Sequence, residues 1–143
     1  MNPALTPTMR NKTAKQSFTY QEVYDASLKY FDGDELAAST WVNKYCMKND
    51  EGKFAELSPD DMHHRMAREF ARIEMDYKLK VHLNGSAKYL SAYGQQREFL
   101  DEDKIFNYFS HFKYVIPQGS VMNALGNPFM LASLSNCIVL PEL

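Results

Sequence analysis

The chain has 143 residues, with 16 lysines and arginines against 18 acidic residues, a formal charge of −2 and an isoelectric point near 6.1. Apolar residues at 45% and charged residues at 24% give the balance of one globular domain, which excludes a disordered chain and, with the mild acidity, a broad nucleic-acid-binding surface. No apolar run approaches the roughly 20 residues that span a bilayer, no apolar stretch backs the N-terminal charges as a secretory signal requires, and two widely separated cysteines form neither a disulfide framework nor a zinc motif.

Residues 1–17, with Pro3, Pro7 and scattered charge, read as a flexible arm. Thr19 followed by Glu22 is a capping box, and Val23, Ala26, Tyr30 and Phe31 recur behind it at helical spacing. Asp32-Gly33-Asp34 ends this helix: Gly33 supplies a left-handed stop and Asp34 caps the next helix. That second helix is expected from Glu35 to Met47, with Leu36, Ala37, Trp41, Val42 and Tyr45 on its apolar face, and Lys48 to Gly52 form a turn. The third opens at Ser58, with Pro59 at the first helical position and Asp60 and Asp61 suiting the positive end of the dipole. Its expected buried stripe is Met62, Met66, Ala67, Phe70, Ile73 and Tyr77. Residues 79–97, interrupted by Gly85 and Gly94, read as a broken helix, and Asp101 opens a fifth helix whose apolar side is Ile105, Phe106, Phe109 and Phe112.

The character changes after Lys113. Tyr114-Val115-Ile116 is β-like and stops at Pro117, and residues 117–133 mix proline, glycine, asparagine and serine with apolar side chains. Leu134 to Leu140 reads as a strand whose second half is continuously apolar, as for a strand buried on both faces. A lone buried strand cannot satisfy its own backbone hydrogen bonds. The expected fold is therefore mainly α: an arm (1–17), a helical domain (18–113), and the beginning of a sheet (114–143) completed elsewhere.

Few residues carry chemistry on their own. His63 and His64 are adjacent on a helix and diverge by about 100°, and His82 and His111 have no ligand-type neighbours at chelating spacing, so no metal site is expected. The methionines and aromatics at helical spacing read as core. Arg65, Arg68 and Arg72 share a helical sector, read as a solvated face paired with Glu69 and Asp61. Cys46 reads as a small buried hydrophobe. Cys137, between Ser135-Asn136 and Ile138-Val139-Leu140, is either a packing residue or part of a cavity wall. Pro117-Gln118-Gly119-Ser120 is either an ordinary turn or a cradle offering N–H groups and a hydroxyl to an anion.

Several strings in order resemble the N-terminal region of adenosylcobalamin-dependent ribonucleotide reductases. They are Phe18-Thr19-Tyr20-Gln21-Glu22, Tyr30-Phe31-Asp32-Gly33-Asp34-Glu35-Leu36, Trp41-Val42-Asn43-Lys44-Tyr45, Ser58-Pro59-Asp60-Asp61-Met62-His63, the run from Ala67 to Glu74, His111 to Ser120, and Ser133-Leu134-Ser135-Asn136-Cys137. The resemblance spans residues 18–140, weakest at 78–100. It implies a helical N-terminal domain followed by the first strand of an α/β barrel. Cys137 then matches one of the redox-active cysteine pair that reduces the ribonucleotide, and Ser120 and Asn136 match substrate-contacting residues. The radical-carrying finger loop, the second cysteine of the pair and the adenosylcobalamin site belong to a downstream part. A di-metal radical partner, with no cofactor in this subunit, is the alternative within the family.

The resemblance further implies a fragment or split subunit that acts only with a downstream chain carrying the rest of the barrel. Other implied partners are a ribonucleotide and a thioredoxin-like or other reductant, with neither nucleic acid nor membrane involved and a cytoplasmic location. Two competing readings are a helical adaptor that adds its C-terminal strand to a partner's sheet, and an inactive gene fragment.

Overall fold

The computed structural model describes residues 17–135. Its six α-helices are α1 (Tyr20–Tyr30), α2 (Glu35–Lys44), α3 (Pro59–Leu83), α4 (Ala92–Gln96), α5 (Glu102–Phe109) and α6 (Gly119–Ala124), with 3-10 turns at Ser86–Tyr89 and Ser110–Phe112. α1 packs on α2, and the long α3 packs on α5. The expected mainly helical architecture is present. The arm lies outside the described residues except for Ser17, and of the expected C-terminal strand only Leu134 and Ser135 are described; neither is in a strand.

The helix starts follow local chemistry. The Thr19 hydroxyl accepts from the Glu22 amide at 3.3 Å while the Glu22 carboxylate accepts from the Thr19 amide at 2.8 Å. The Thr19 amide and the Thr19 hydroxyl, both donating to the Glu22 carboxylate, hold that carboxyl below its usual range. Asp34 accepts from the Ala37 amide at 2.9 Å, and Asp101 from the Lys104 amide at 2.8 Å. Asp32 and Gly33, at φ 53° and 91°, make the left-handed break between α1 and α2. At α3 the Asp61 carboxylate reaches back to the Leu57 and Ser58 amides.

Packing sets the remaining boundaries. α2 stops at Lys44 instead of running to Met47, because the Met47 amide donates to the Glu56 carboxylate at 2.9 Å. The connection to α3 folds back on itself, with Phe54 bridging both Lys48 and Phe18. Val23, Ala38, Trp41, Val42, Met62, Met66, Ala67, Ile105 and Phe109 form the core with Met122 and Leu125 of the C-terminal segment, and the Trp41 indole N–H points at the Met62 sulfur at 3.4 Å. The α3 stripe is buried only in its first half: Phe70, though it meets the Phe109 ring of α5, is 38% exposed and Tyr77 62%. Tyr114-Val115-Ile116 is not in a strand; the Tyr114 and Val115 amides both turn back to the Tyr108 carbonyl.

An aromatic joint packs around the first turns of α3. His63 is fully buried, stacked on Phe109 and edge-on to Phe112. The Tyr30 hydroxyl accepts from the His111 amide at 2.7 Å, and its oxygen lies 3.4 Å from His63 Nδ1. The Tyr30 ring stacks on the His111 ring, and both His111 and Phe112 adopt positive φ, at 54° and 52°. These contacts hold two non-glycine residues in the left-handed region, at a cost of about 1–3 kcal/mol each. His63 Nε2 has no partner.

Burial, with His111 and His64 nearby, pushes the His63 imidazole down to about 4, and burial pushes the Tyr30 phenol up to about 12. His63 is therefore neutral when folded and protonates more readily when unfolded. Stability contributed by the neutral ring is complete above about pH 6.5 and is lost as pH falls toward 4, by up to about 1.4 kcal/mol per pH unit. Urea titrations between pH 7 and 4 are expected to show this slope, and His63→Phe is expected to remove most of it; an unchanged slope in the variant would assign it to other groups.

Candidate functional site

The site is assembled on α6 and the chain after it. Gln118 stands just before the helix, Gly119 and Ser120 form its first turn, and Met122 and Leu125 anchor it in the core. Gly119 lies against the Tyr45 ring, where an added Cβ would sit 3.3 Å from a ring carbon. The Ser120 hydroxyl donates to the Leu134 carbonyl at 3.1 Å. That bond ties the start of α6 to the segment that leads, two residues later, to Asn136. With its hydrogen so engaged, the Ser120 oxygen offers a ligand acceptor capacity only. Asn136 and Cys137 lie outside the described residues, so of the three expected site residues the structure places Ser120 alone.

The other end of α6 is held from α3. The Arg65 side chain is 8% exposed and donates through Nε to Glu56 Oε1 at 2.7 Å. Its Nη2 donates to the Met122 carbonyl at 2.8 Å, and its Nη1 to the Leu125 carbonyl. A six-residue helix leaves its last carbonyls without internal donors, and the guanidinium supplies them. Gly126 follows at φ 72°, packed so closely that a Cβ would meet Arg65 Cγ at 3.0 Å and the Arg65 carbonyl at 3.1 Å. Sequence periodicity placed Arg65 on a solvated face with Arg68 and Arg72, and the structure corrects this. Arg72 does pair with Glu69, and with Asp76, in water, but Arg65 is a core residue. Asp61 is engaged with the Leu57 and Ser58 amides instead. The sequence placed Arg65 between Met62 and Met66 on α3, but no local signal marked the guanidinium as buried, because its partners Glu56, Met122 and Leu125 lie far along the chain.

Two clefts flank α6. A 200 Å³ cleft is lined by Asn43, Cys46, Met47, Asn123, Asn127 and Phe129, among others. An apolar groove of 290 Å³ is lined by Phe31, Leu36, Trp41, Tyr45, Phe112 and Met122, among others. Neither suits a corrinoid: both fall below the roughly 300–1,000 Å³ of ordinary small-molecule sites, and a corrinoid exceeds those ligands in size. Among the described residues no three His, Cys, Asp or Glu side chains are grouped to hold a metal ion. No helix of the described residues is long and apolar enough to cross a membrane. The Cys46 thiol donates to the Glu56 carbonyl at 3.3 Å, and burial pushes its pKa up to about 12, so it is a packing residue without thiolate character.

Breaking the buried pair from one side strands a charge. Arg65→Ala is expected to destabilise the chain by about 3–5 kcal/mol, while the double variant Arg65→Met/Glu56→Met recovers part of that loss, because it removes the stranded charge but leaves the Met47 amide and the Met122 and Leu125 carbonyls unpaired. Denaturant melts of the three proteins check it, and equal destabilisation by single and double variants would contradict it.

Comparison with curated proteins and with solved structures gives no match. A protein-family model, described as the ribonucleotide reductase all-alpha domain, matches residues 31–127, more than half of the chain. The match starts at the end of α1 and runs through α6 and Gly126, so it includes Glu56, Arg65 and Ser120. The chain belongs to the ribonucleotide reductase all-alpha domain family.

Proposed function

We propose that this chain supplies the N-terminal part of the catalytic subunit of an adenosylcobalamin-dependent ribonucleotide reductase, and works with a downstream part that carries the rest of the barrel and the cofactor site. Support comes first from the family match over residues 31–127. The described geometry is consistent with it, because the one site residue in view, Ser120, is braced at both ends of its helix to the core and to the chain approaching Cys137. The cofactor, when bound to the downstream part, supplies the radical that starts the chemistry.

In this reading Cys137 is a reductant. Replacing the ribose 2′ hydroxyl by hydrogen consumes two electrons. Cys137 and a cysteine of the downstream part give up those electrons and two protons, the hydroxyl leaves as water, and the two sulfurs join in a disulfide. A thioredoxin-like protein or another dithiol then restores both thiols. Ser120 and Asn136 line the nucleotide. The Ser120 oxygen, its hydrogen on the Leu134 carbonyl, accepts from a ribose hydroxyl, which an ionised phosphate cannot replace because it has no hydrogen to give.

The test uses this chain assembled with the downstream part. One turnover without external reductant is expected to leave Cys137 disulfide-linked to a cysteine of that part, seen by peptide mapping after thiol blocking. Cys137→Ser is expected to bind nucleotide and yield no deoxynucleotide, and a fully active variant would sink the redox role. Turnover that requires a second metal-bearing protein instead of adenosylcobalamin would move the chain to the di-metal class. Ser120→Ala is expected to weaken binding by about 0.5–1.5 kcal/mol, the size of one neutral hydrogen bond. That loss is expected to be equal for nucleosides with and without phosphate, whereas a loss confined to phosphorylated ligands would place a phosphate at Ser120.

A further inference from the structure

We infer that Arg65 is a positioning residue for the nucleotide segment, acting through the carbonyl end of α6; the inference rests on the reductase reading above. α6 has six residues, too few to hold its own conformation in water. Its place is set from outside. Arg65 spends one edge of its guanidinium on Glu56, and Glu56 is itself fixed by the Met47 amide at 2.9 Å. The remaining donors meet the Met122 and Leu125 carbonyls, 57 and 60 residues further along the chain.

This arrangement defines a register. Gly126 seats the backbone against Arg65 so closely that only glycine fits without displacement, which prevents the segment from sliding along α3. At the opposite end, Gly119 rests on Tyr45 and the Ser120 hydroxyl holds the Leu134 carbonyl. A shift of α6 therefore moves Ser120 and its contact at Leu134 together. Arginine suits the task because its planar fork can bond a carboxylate and two carbonyls at once, whereas a lysine ammonium is a single point.

Two variants separate positioning from bulk stability. Arg65→Lys keeps the charge beside Glu56, and Arg65→Met/Glu56→Met replaces the pair by apolar side chains. In the full chain, hydrogen exchange is expected to quicken about tenfold or more at the Met122 and Leu125 amides in both variants, while the Val23 and Ala38 amides change less than twofold. In the assembled reductase, both variants are expected to raise KM for the ribonucleotide by as much as Ser120→Ala does, about two- to tenfold, with kcat nearly unchanged. Adding Ser120→Ala to either is expected to raise KM no further, because the contact is already lost. Uniform exchange across all four amides overturns the inference. So does an unchanged KM where Ser120→Ala alone raises it, and this outcome leaves the reductase reading standing. Local exchange effects with no nucleotide response in any variant, Ser120→Ala included, overturn the nucleotide reading and this inference with it.

Discussion

The Arg65–Glu56 pair is the contact on which the rest of the structure turns. Two opposite charges removed from water cost several kcal/mol each, and their attraction offsets that only when the remaining donors and acceptors are also used. Here they are used on backbone. Glu56 takes the Met47 amide, which ends α2, and Arg65 takes two carbonyls of the C-terminal segment, which fixes α6. One ion pair thereby joins the exit of α2, the loop before α3, α3 itself and the chain beyond α5. An apolar pair could fill the same volume. It could not satisfy those amide and carbonyl groups, so the charge serves geometry more than stability.

Another face of the same first turns of α3, two residues from Arg65, is organised by rings. Tyr30, His63, His111, Phe109 and Phe112 pack where α1, α3 and α5 converge, and the chain passes through two left-handed residues there before it turns toward α6. The Tyr30 hydroxyl accepts from the His111 amide and lies beside His63 Nδ1, so one oxygen links three elements. The segment bearing Ser120 is thus delivered by an aromatic joint at one end and clamped by a buried arginine at the other.

Family membership and geometry bear on function in different ways. The match over residues 31–127 assigns the helical body to the ribonucleotide reductase all-alpha domain. The geometry adds how that body presents α6: two clefts beside it, a serine whose hydrogen is already committed, and a backbone seated on arginine. In the proposed reaction these features would give the nucleotide a fixed wall while electrons come from Cys137. Cys46 takes no part, because its thiol is sequestered against the Glu56 carbonyl and resists ionisation.

The sequence by itself determined the helix starts and the breaks between them. Thr19 with Glu22, Asp34, Pro59, Asp101 and the Asp32-Gly33 break act through bonds within a few residues, so their chemistry is complete in the local string. The strings from Ser58, from Ala67 and up to Ser120 also carried the family resemblance. Tertiary structure alone decided where α2 ends, which half of the α3 stripe is covered, and that Tyr114 to Ile116 forms no strand. It also took Arg65 out of the expected solvated face and put it at the end of α6. Each of those outcomes depends on a partner distant along the chain: Glu56 for the Met47 amide, α5 for α3, the Tyr108 carbonyl for the 114–115 amides, Leu125 for Arg65. Periodicity reports which side of a helix is apolar, but not whether another element arrives to bury it, and a charged side chain between two buried methionines reads as solvated until the carboxylate and carbonyls that receive it are in place.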